Sequence, residues 1–182
     1  MPWALAGVAV GALITVVGLR LAGGTSPPLP SARPGMAPDI SQMSPEERAT
    51  RLYNRVMSMH AAGKADSADL FLPMALQAYA MLPALDIDAH YHMGVLRLTG
   101  GDAPGALAEA DSIRRLAATH LFGFVLRAQA FELQHDRRAQ QAYREFLRNE
   151  AAERARGLPE YADHAQNLDS FHARAVEATR GK

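Results

Sequence analysis

The chain of 182 residues carries 19 basic and 19 acidic side chains, is 48% apolar and contains no cysteine. A nucleic-acid-binding protein needs a basic surface, so the zero net charge predicts no nucleic-acid partner. The absence of cysteine excludes disulfides, thiol catalysis, iron–sulfur clusters and covalent haem attachment. The length suits one domain of ordinary size with an appendage.

An apolar run occupies residues 3–22, and its single charge, Arg20, lies near its end. A helix of this length is about 30 Å long, the thickness of the hydrocarbon core of a bilayer. The residues before the run lack the positive charges of a signal peptide. We therefore predict a transmembrane anchor over residues 1–22, with Trp3 at one interface and Arg20 snorkelling to the other.

Small residues lie along one stripe of this predicted helix: Ala4, Gly7, Gly11 and Gly18. Small side chains let a second transmembrane helix approach closely, so the stripe predicts packing against a partner's helix. The alternative is that these residues are simply common in transmembrane helices.

A proline-rich segment comes after the anchor over residues 23–43 and contains five prolines. Prolines at this density favour an extended spacer. Arg20 and Arg33 flank the anchor on this side, and a positive-inside count would place the C-terminal domain in the cytoplasm. The spacer, the lack of cysteine and the scarcity of lysine favour the other side. We expect a single-pass protein of the inner (cytoplasmic) membrane with an extracytoplasmic, periplasmic domain.

Residues 44–182 have a helical pattern without strand alternation, which predicts an all-α domain. Ser44 followed by Pro45 and Glu47 is typical of a helix start with a capping box. Pro73 should kink or split the second helix. Helices are predicted at about 45–62, 66–82, 86–99, 103–119, 121–134, 137–155 and 159–179.

Turns between paired helices recur at Gly63, Gly101 and His135, with spacings of 38 and 34 residues. A helical hairpin that recurs every 34 residues is typical of tetratricopeptide repeats. The unit over residues 89–120 resembles that family most, with Met93-Gly94 at its Leu-Gly position and Ala106-Leu107 at its small-residue contact. Gly94 and Ala106 would let the paired helices approach closely.

The resemblance implies three hairpins with a capping helix over 159–179, in a family of binding scaffolds. It also implies a concave partner-binding groove lined by the first helix of each hairpin. The residues expected there are Tyr53, Met57, His60, Tyr91, Val95, Leu98, Phe122, Val125, Gln129 and Glu132. Aromatic and methionine side chains with a polar rim suit a peptide or helix. Alternatively, the capping helix folds into this groove and fills it.

The seven histidines form no H-E-x-x-H motif. His90 and His92 should point in different directions on a helix. His164 and His172 lie eight apart in the last predicted helix, on a face expected to pack on the repeats. We therefore predict no metal site and no cofactor.

Carboxylate pairs occur at three places, but none predicts acid–base catalysis. The pairs 46/47 and 86/88 lie at helix starts, and Glu109 with Asp111 should lie on a solvated face. Gly100-Gly101-Asp102 lacks the Lys-Ser/Thr of a phosphate loop. The sequence therefore predicts no catalytic residue and no enzyme.

These observations favour a non-catalytic, membrane-anchored helical-repeat scaffold. The expected role is an accessory or structural subunit of a larger membrane protein complex, of respiratory or photosynthetic type. Its expected partners are other subunits, through the anchor and the repeat domain, and membrane lipid. The alternative is a membrane-tethered assembly factor or chaperone adaptor that binds clients transiently through the groove.

Overall fold

The computed structural model describes residues 42–180. The predicted anchor with its small-residue stripe, and the spacer up to residue 41, lie outside this range. Secondary structure in the described residues is entirely helical, which confirms the all-α fold class. The helices are α1 Pro45–Ala61, α2 Ala65–Ala80, α3 Ile87–Thr99, α4 Ala103–Leu116, α5 Leu121–Leu133, α6 Arg138–Arg154, α7 Pro159–Asp163 and α8 Ala165–Thr179. None of these eight helices has the length and hydropathy that crossing a bilayer requires.

The first helix begins with the predicted capping box. The backbone N–H of Glu47 donates to Ser44 Oγ at 3.1 Å, and the backbone N–H of Ser44 donates to Glu47 Oε2 at 2.8 Å. Pro45 occupies the first helical position, where its missing N–H costs no hydrogen bond. The start of α1 is thus determined by four consecutive residues.

Three turns of the same geometry join α1 to α2, α3 to α4, and α5 to α6. Gly63, Gly101 and His135 adopt left-handed backbone with φ of 69°, 78° and 54°. In each turn the next residue donates its N–H to the carbonyl five positions back, at 2.8–2.9 Å: Lys64 to Met59, Asp102 to Arg97, and Asp136 to Phe131. This Schellman-type ending reverses the chain, so each helix pair packs as a hairpin.

The third helix connects the two parts of the core. Leu96 packs with α1 and α2 around Val56, whereas Tyr91 packs with α5 around Phe122. Side chains of α6 and α8 extend this second part, including the buried Phe146 and other aromatic residues. Burying each large apolar side chain contributes about 1.5–3 kcal/mol, so α3 holds the successive hairpins together.

The proline predicted to kink or split the second helix lies within it. Pro73 is in the middle of α2, which the structure shows as one helix. Proline cannot donate a hydrogen bond to the carbonyl of Asp69, one turn earlier. Both residues lie on the exposed side of α2, where water can bind that carbonyl. The helix therefore does not split.

The predicted helix over 159–179 is two helices, because His164 departs from helical backbone with φ −108° and ψ 20°. Tyr161 explains this break. Its hydroxyl accepts from the Leu121 N–H at 3.0 Å and donates to Glu153 at 2.8 Å, which holds α7 against α5 and α6. The fourth helix also ends earlier than predicted, since Ala117 takes an extended conformation.

The close approach at Gly94 is between hairpins, not within one. A Cβ at this position would collide with the Leu126 side chain of α5, whose Cδ2 would lie 2.8 Å away. The expectation that Gly94 brings α3 close to α4 is therefore wrong, because the helix that approaches Gly94 is α5. Ala106 is fully buried and belongs to a cluster with Ala103 and Ala130.

We expect Gly94→Leu to lower the free energy of unfolding by about 1–3 kcal/mol or more, because the side chain would force α3 and α5 apart. Urea denaturation followed by circular dichroism measures this. Ala108→Leu adds one carbon atom fewer, at an exposed position of α4, and should change stability little. Equal stability of the two variants would contradict the packing described here.

Candidate functional site

A concave groove runs along the first helices of the three hairpins, α1, α3 and α5. It consists of two adjoining pockets of about 390 Å³ and about 230 Å³. Both pockets are lined by Met57, Val95, Gln129 and Arg174, so they form one continuous surface. We call this surface the concave groove.

Nine of the ten residues predicted for the groove line it: Tyr53, Met57, His60, Tyr91, Val95, Leu98, Val125, Gln129 and Glu132. Phe122 does not, because it is fully buried beneath the groove and stacks on Tyr91 with ring centroids 4.0 Å apart. Tyr53 and Tyr91 are themselves buried and present little surface. The accessible apolar lining consists of Met57, Val95 and Leu98, which are partly buried, and of the exposed Leu133.

The last helix lines one end of the groove. Phe171 of α8 enters the core beside Tyr143 and Phe146, and Arg174 lies 3.6 Å from Glu132 across the groove. The other end, towards His60, carries no contribution from α8 except Arg174. The capping helix thus walls the groove without closing it.

A second feature is a cluster of three ionisable side chains where α3 begins and α8 begins. Asp88 and His92 are one turn apart on α3, so they share a face. His164 precedes α8, and its Nε2 lies 3.0 Å from Asp88 Oδ1 and 3.2 Å from His92 Nε2. One potential ligand atom from each residue lies within 4.8 Å of the others. We call these three residues the histidine cluster.

Aromatic rings enclose the histidine cluster on most sides. His92 stacks on Tyr53 at 4.0 Å between ring centroids, and its Nδ1 lies 2.8 Å from the Tyr79 hydroxyl. His164 meets Tyr91 edge-on at 5.0 Å. Asp88 is the most exposed member, and it lines a pocket of about 150 Å³ that also includes Glu46, Thr50 and Asp86.

Burial determines the charge of this cluster. It lowers the pKa of the His92 imidazole to about 4, against the opposing effect of the Asp88 carboxylate. Burial raises the pKa of the Asp88 carboxyl, but the hydrogen bond from His164 and the nearby histidines lower it by more. At neutral pH the cluster therefore contains a carboxylate and a neutral His92.

The hydrogen bonds fit one arrangement of protons. His164 Nε2–H donates to Asp88 and points towards the lone pair on His92 Nε2, while His92 Nδ1–H donates to the Tyr79 hydroxyl. A single proton, carried by His164 Nε2, thus lies between the two imidazole Nε2 atoms. The His92 nitrogen that approaches the carboxylate is Nδ1, which lies 3.6 Å from Asp88 Oδ2.

The carboxylates differ from the sequence expectation at one position. Glu109, predicted on a solvated face, is buried, and it accepts from Arg97 Nε at 3.2 Å and lies 2.8 Å from His90 Nδ1. Asp86 caps α3, as the sequence predicted for a helix start, by accepting from the Ala89 N–H at 2.8 Å. The contacts of Glu109 with His90 and Arg97 join α3 to α4, which gives this buried carboxylate a structural role.

Sequence reasoning overlooked the histidine cluster. The only local signal was the spacing of Asp88 and His92, which brings any two side chains together on a helix. His164 is 72 residues from His92 and was expected to share a helical face with His172. Instead His172 binds Glu150 at 2.6 Å, and the break at His164 directs that side chain to α3.

No protein-family model matches the sequence, and no curated protein is significantly similar to it. The function is therefore inferred from the fold, the concave groove and the histidine cluster.

The buried neutral histidine predicts loss of stability in acid. The unfolded chain binds a proton at His92 below about pH 6.5, whereas the folded chain does so only near pH 4. The contribution of His92 to the free energy of unfolding is thus fully present above about pH 6.5 and is lost progressively as the pH falls towards 4. We expect the free energy of unfolding to drop by about 2 kcal/mol between pH 7 and pH 5.

Urea denaturation in the presence of a chelator measures this pH dependence. His92→Phe has no proton to gain and should show a smaller drop than the parent chain. His60→Phe, at an exposed histidine of α1, should keep the full drop. A pH dependence that is the same in all three proteins would contradict the assignment to His92.

Proposed function

We propose that this protein is a non-catalytic, membrane-anchored helical-repeat scaffold that binds a segment of a protein partner in the concave groove. The observation that carries the proposal is the accessible end of the groove, where Met57, Val95 and Leu98 form an apolar floor and His60 and Glu132 a polar rim. Such a surface suits a short peptide or helix with apolar anchors.

The proposed likeness to tetratricopeptide repeats rests on the spacing of the hairpin turns in the sequence. The hairpin turns at Gly63, Gly101 and His135 have one geometry, and the first helices lie together along the groove. Scaffolds of that kind bind partners through this concave face.

The groove contains the hydroxyl group of Thr99, which donates to the Val95 carbonyl of its own helix at 3.0 Å. This bond fits a structural role for Thr99 rather than a catalytic one.

Membrane attachment rests on the apolar run of residues 3–22. With the small-residue stripe, it supports an accessory subunit that packs on another transmembrane helix in a larger complex of the inner membrane. The domain would then lie on the periplasmic side. The accessible end of the groove favours a second candidate, an assembly factor or chaperone adaptor that binds clients transiently.

The groove is tested with two exposed leucines that end neighbouring helices. Leu133 ends α5 and lines the groove, whereas Leu116 ends α4 and does not. We expect Leu133→Asp to weaken partner association about 10-fold, because it places a charge beside the apolar floor. Quantitative mass spectrometry of complexes purified from native membranes in mild detergent measures this.

Leu116→Asp is the matched control and should leave association unchanged, since it adds the same charge outside the groove. Both variants should keep the melting temperature of the parent chain. Equal association of the Leu133→Asp and parent proteins would overturn groove binding.

The anchor distinguishes the two candidate roles. If the stripe packs against a partner's helix, Gly11→Ile should release the protein from its complex, because the added bulk blocks close backbone approach. Ala9→Ile adds similar bulk on the opposite side of the predicted helix and should be tolerated. Membrane fractionation verifies insertion, and native-size analysis measures complex formation. Retained association of Gly11→Ile with loss for Leu133→Asp would favour the adaptor.

A further inference from the structure

The histidine cluster has the composition of a metal site. Two imidazoles and one carboxylate converge, and the distances from His164 Nε2 to Asp88 Oδ1 and His92 Nε2 are 3.0 and 3.2 Å. In a tetrahedral site with bonds of about 2.0–2.1 Å, neighbouring ligand atoms lie about 3.3–3.5 Å apart. All three ligand atoms lie within 4.8 Å of one another, so small rotations of these side chains would admit a cation between them.

We propose that Asp88, His92 and His164 bind one divalent transition-metal cation of the zinc type. Imidazole nitrogen with carboxylate oxygen suits zinc and its first-row neighbours, whereas magnesium and calcium prefer oxygen ligands alone. Three protein ligands leave a fourth position, and the pocket in front of Asp88 provides room for a water there.

The surroundings supply the outer-shell bond that metal-binding histidines need. With Nε2 of His92 on the metal, its Nδ1–H donates to the Tyr79 hydroxyl 2.8 Å away. Such a partner fixes the tautomer and the orientation of the ring. The stacked ring of Tyr53 holds the same imidazole from one face.

Protons balance when the metal binds. In the metal-free cluster, His164 carries its proton on Nε2 and donates it to Asp88. The cation takes the place of that proton, which moves to Nδ1 of the same ring so that His164 stays a neutral ligand. His92 is already neutral, so its lone pair is available without releasing a proton.

The metal would join parts of the fold that are distant in sequence. Asp88 and His92 belong to α3, and His164 lies at the start of α8, which walls one end of the groove. A metal bound to the folded chain only would stabilise it and fix α8 against α3. This site is independent of the proposed partner binding, which needs no metal.

The test uses the full chain in detergent, with any purification tag removed and metal stripped by a chelator that is then dialysed away. Calorimetric titration with zinc chloride should give one site per chain. Zinc at about 100 times its Kd should raise the melting temperature by several degrees. Cobalt(II) should give the visible absorption of a bound ion at the same stoichiometry.

Variants separate this site from other histidines. Asp88→Asn and His164→Gln should each weaken zinc binding at least 10-fold, and Tyr79→Phe about 10-fold through the outer shell. His172→Gln is the matched control, because His172 lies on α8 outside the cluster. This variant should bind zinc as tightly as the parent chain does. Melting in chelator establishes that each variant folds.

The proposal is overturned if the parent chain binds no zinc with a Kd below about 10 µM, a standard binding free energy of about −7 kcal/mol. It is also overturned if Asp88→Asn and His164→Gln bind zinc as tightly as the parent does. Loss of binding in His172→Gln alone would place the cation elsewhere and would equally overturn it.

Discussion

The imidazole of His92 is the point at which the first hairpin, the second hairpin and the last helix meet. It stacks on Tyr53 of α1, lies within hydrogen-bond distance of Tyr79 of α2, and lies 3.2 Å from the imidazole of His164. A buried polar group without partners destabilises a fold, so these neighbours must all be in place together. This one side chain therefore contacts α1, α2 and the residue that precedes α8.

The groove depends on the same arrangement. Its floor is formed by α1, α3 and α5. The spacing of α3 and α5 is determined by the close contact between Gly94 and Leu126 and by the aromatic stack of Tyr91 on Phe122. One wall of the groove is formed by α8, which the hydrogen bond of His164 to Asp88 and the contacts of Phe171 hold in place. Core packing and the shape of the binding surface are therefore determined by the same residues.

Two chemical environments are thus close together but separate. The groove exposes apolar side chains with a mixed-charge rim, which suits a peptide segment. The cluster behind Tyr53 is enclosed and polar, which suits a cation. Tyr53 belongs to both, since one part of its ring stacks on His92 and its edge lines the groove.

The sequence by itself determined what short-range interactions specify: helix type, the capping box at Ser44, and the turns at Gly63, Gly101 and His135. These depend on hydrogen bonds between residues at most five positions apart. The period of the hairpins also located the residues along the groove. Only the tertiary structure decided that Gly94 meets α5, that Glu109 is buried, and that α8 covers only one end of the groove. The histidine cluster belongs to this second group, because its members are up to 76 residues apart and the break at His164 directs that side chain to α3.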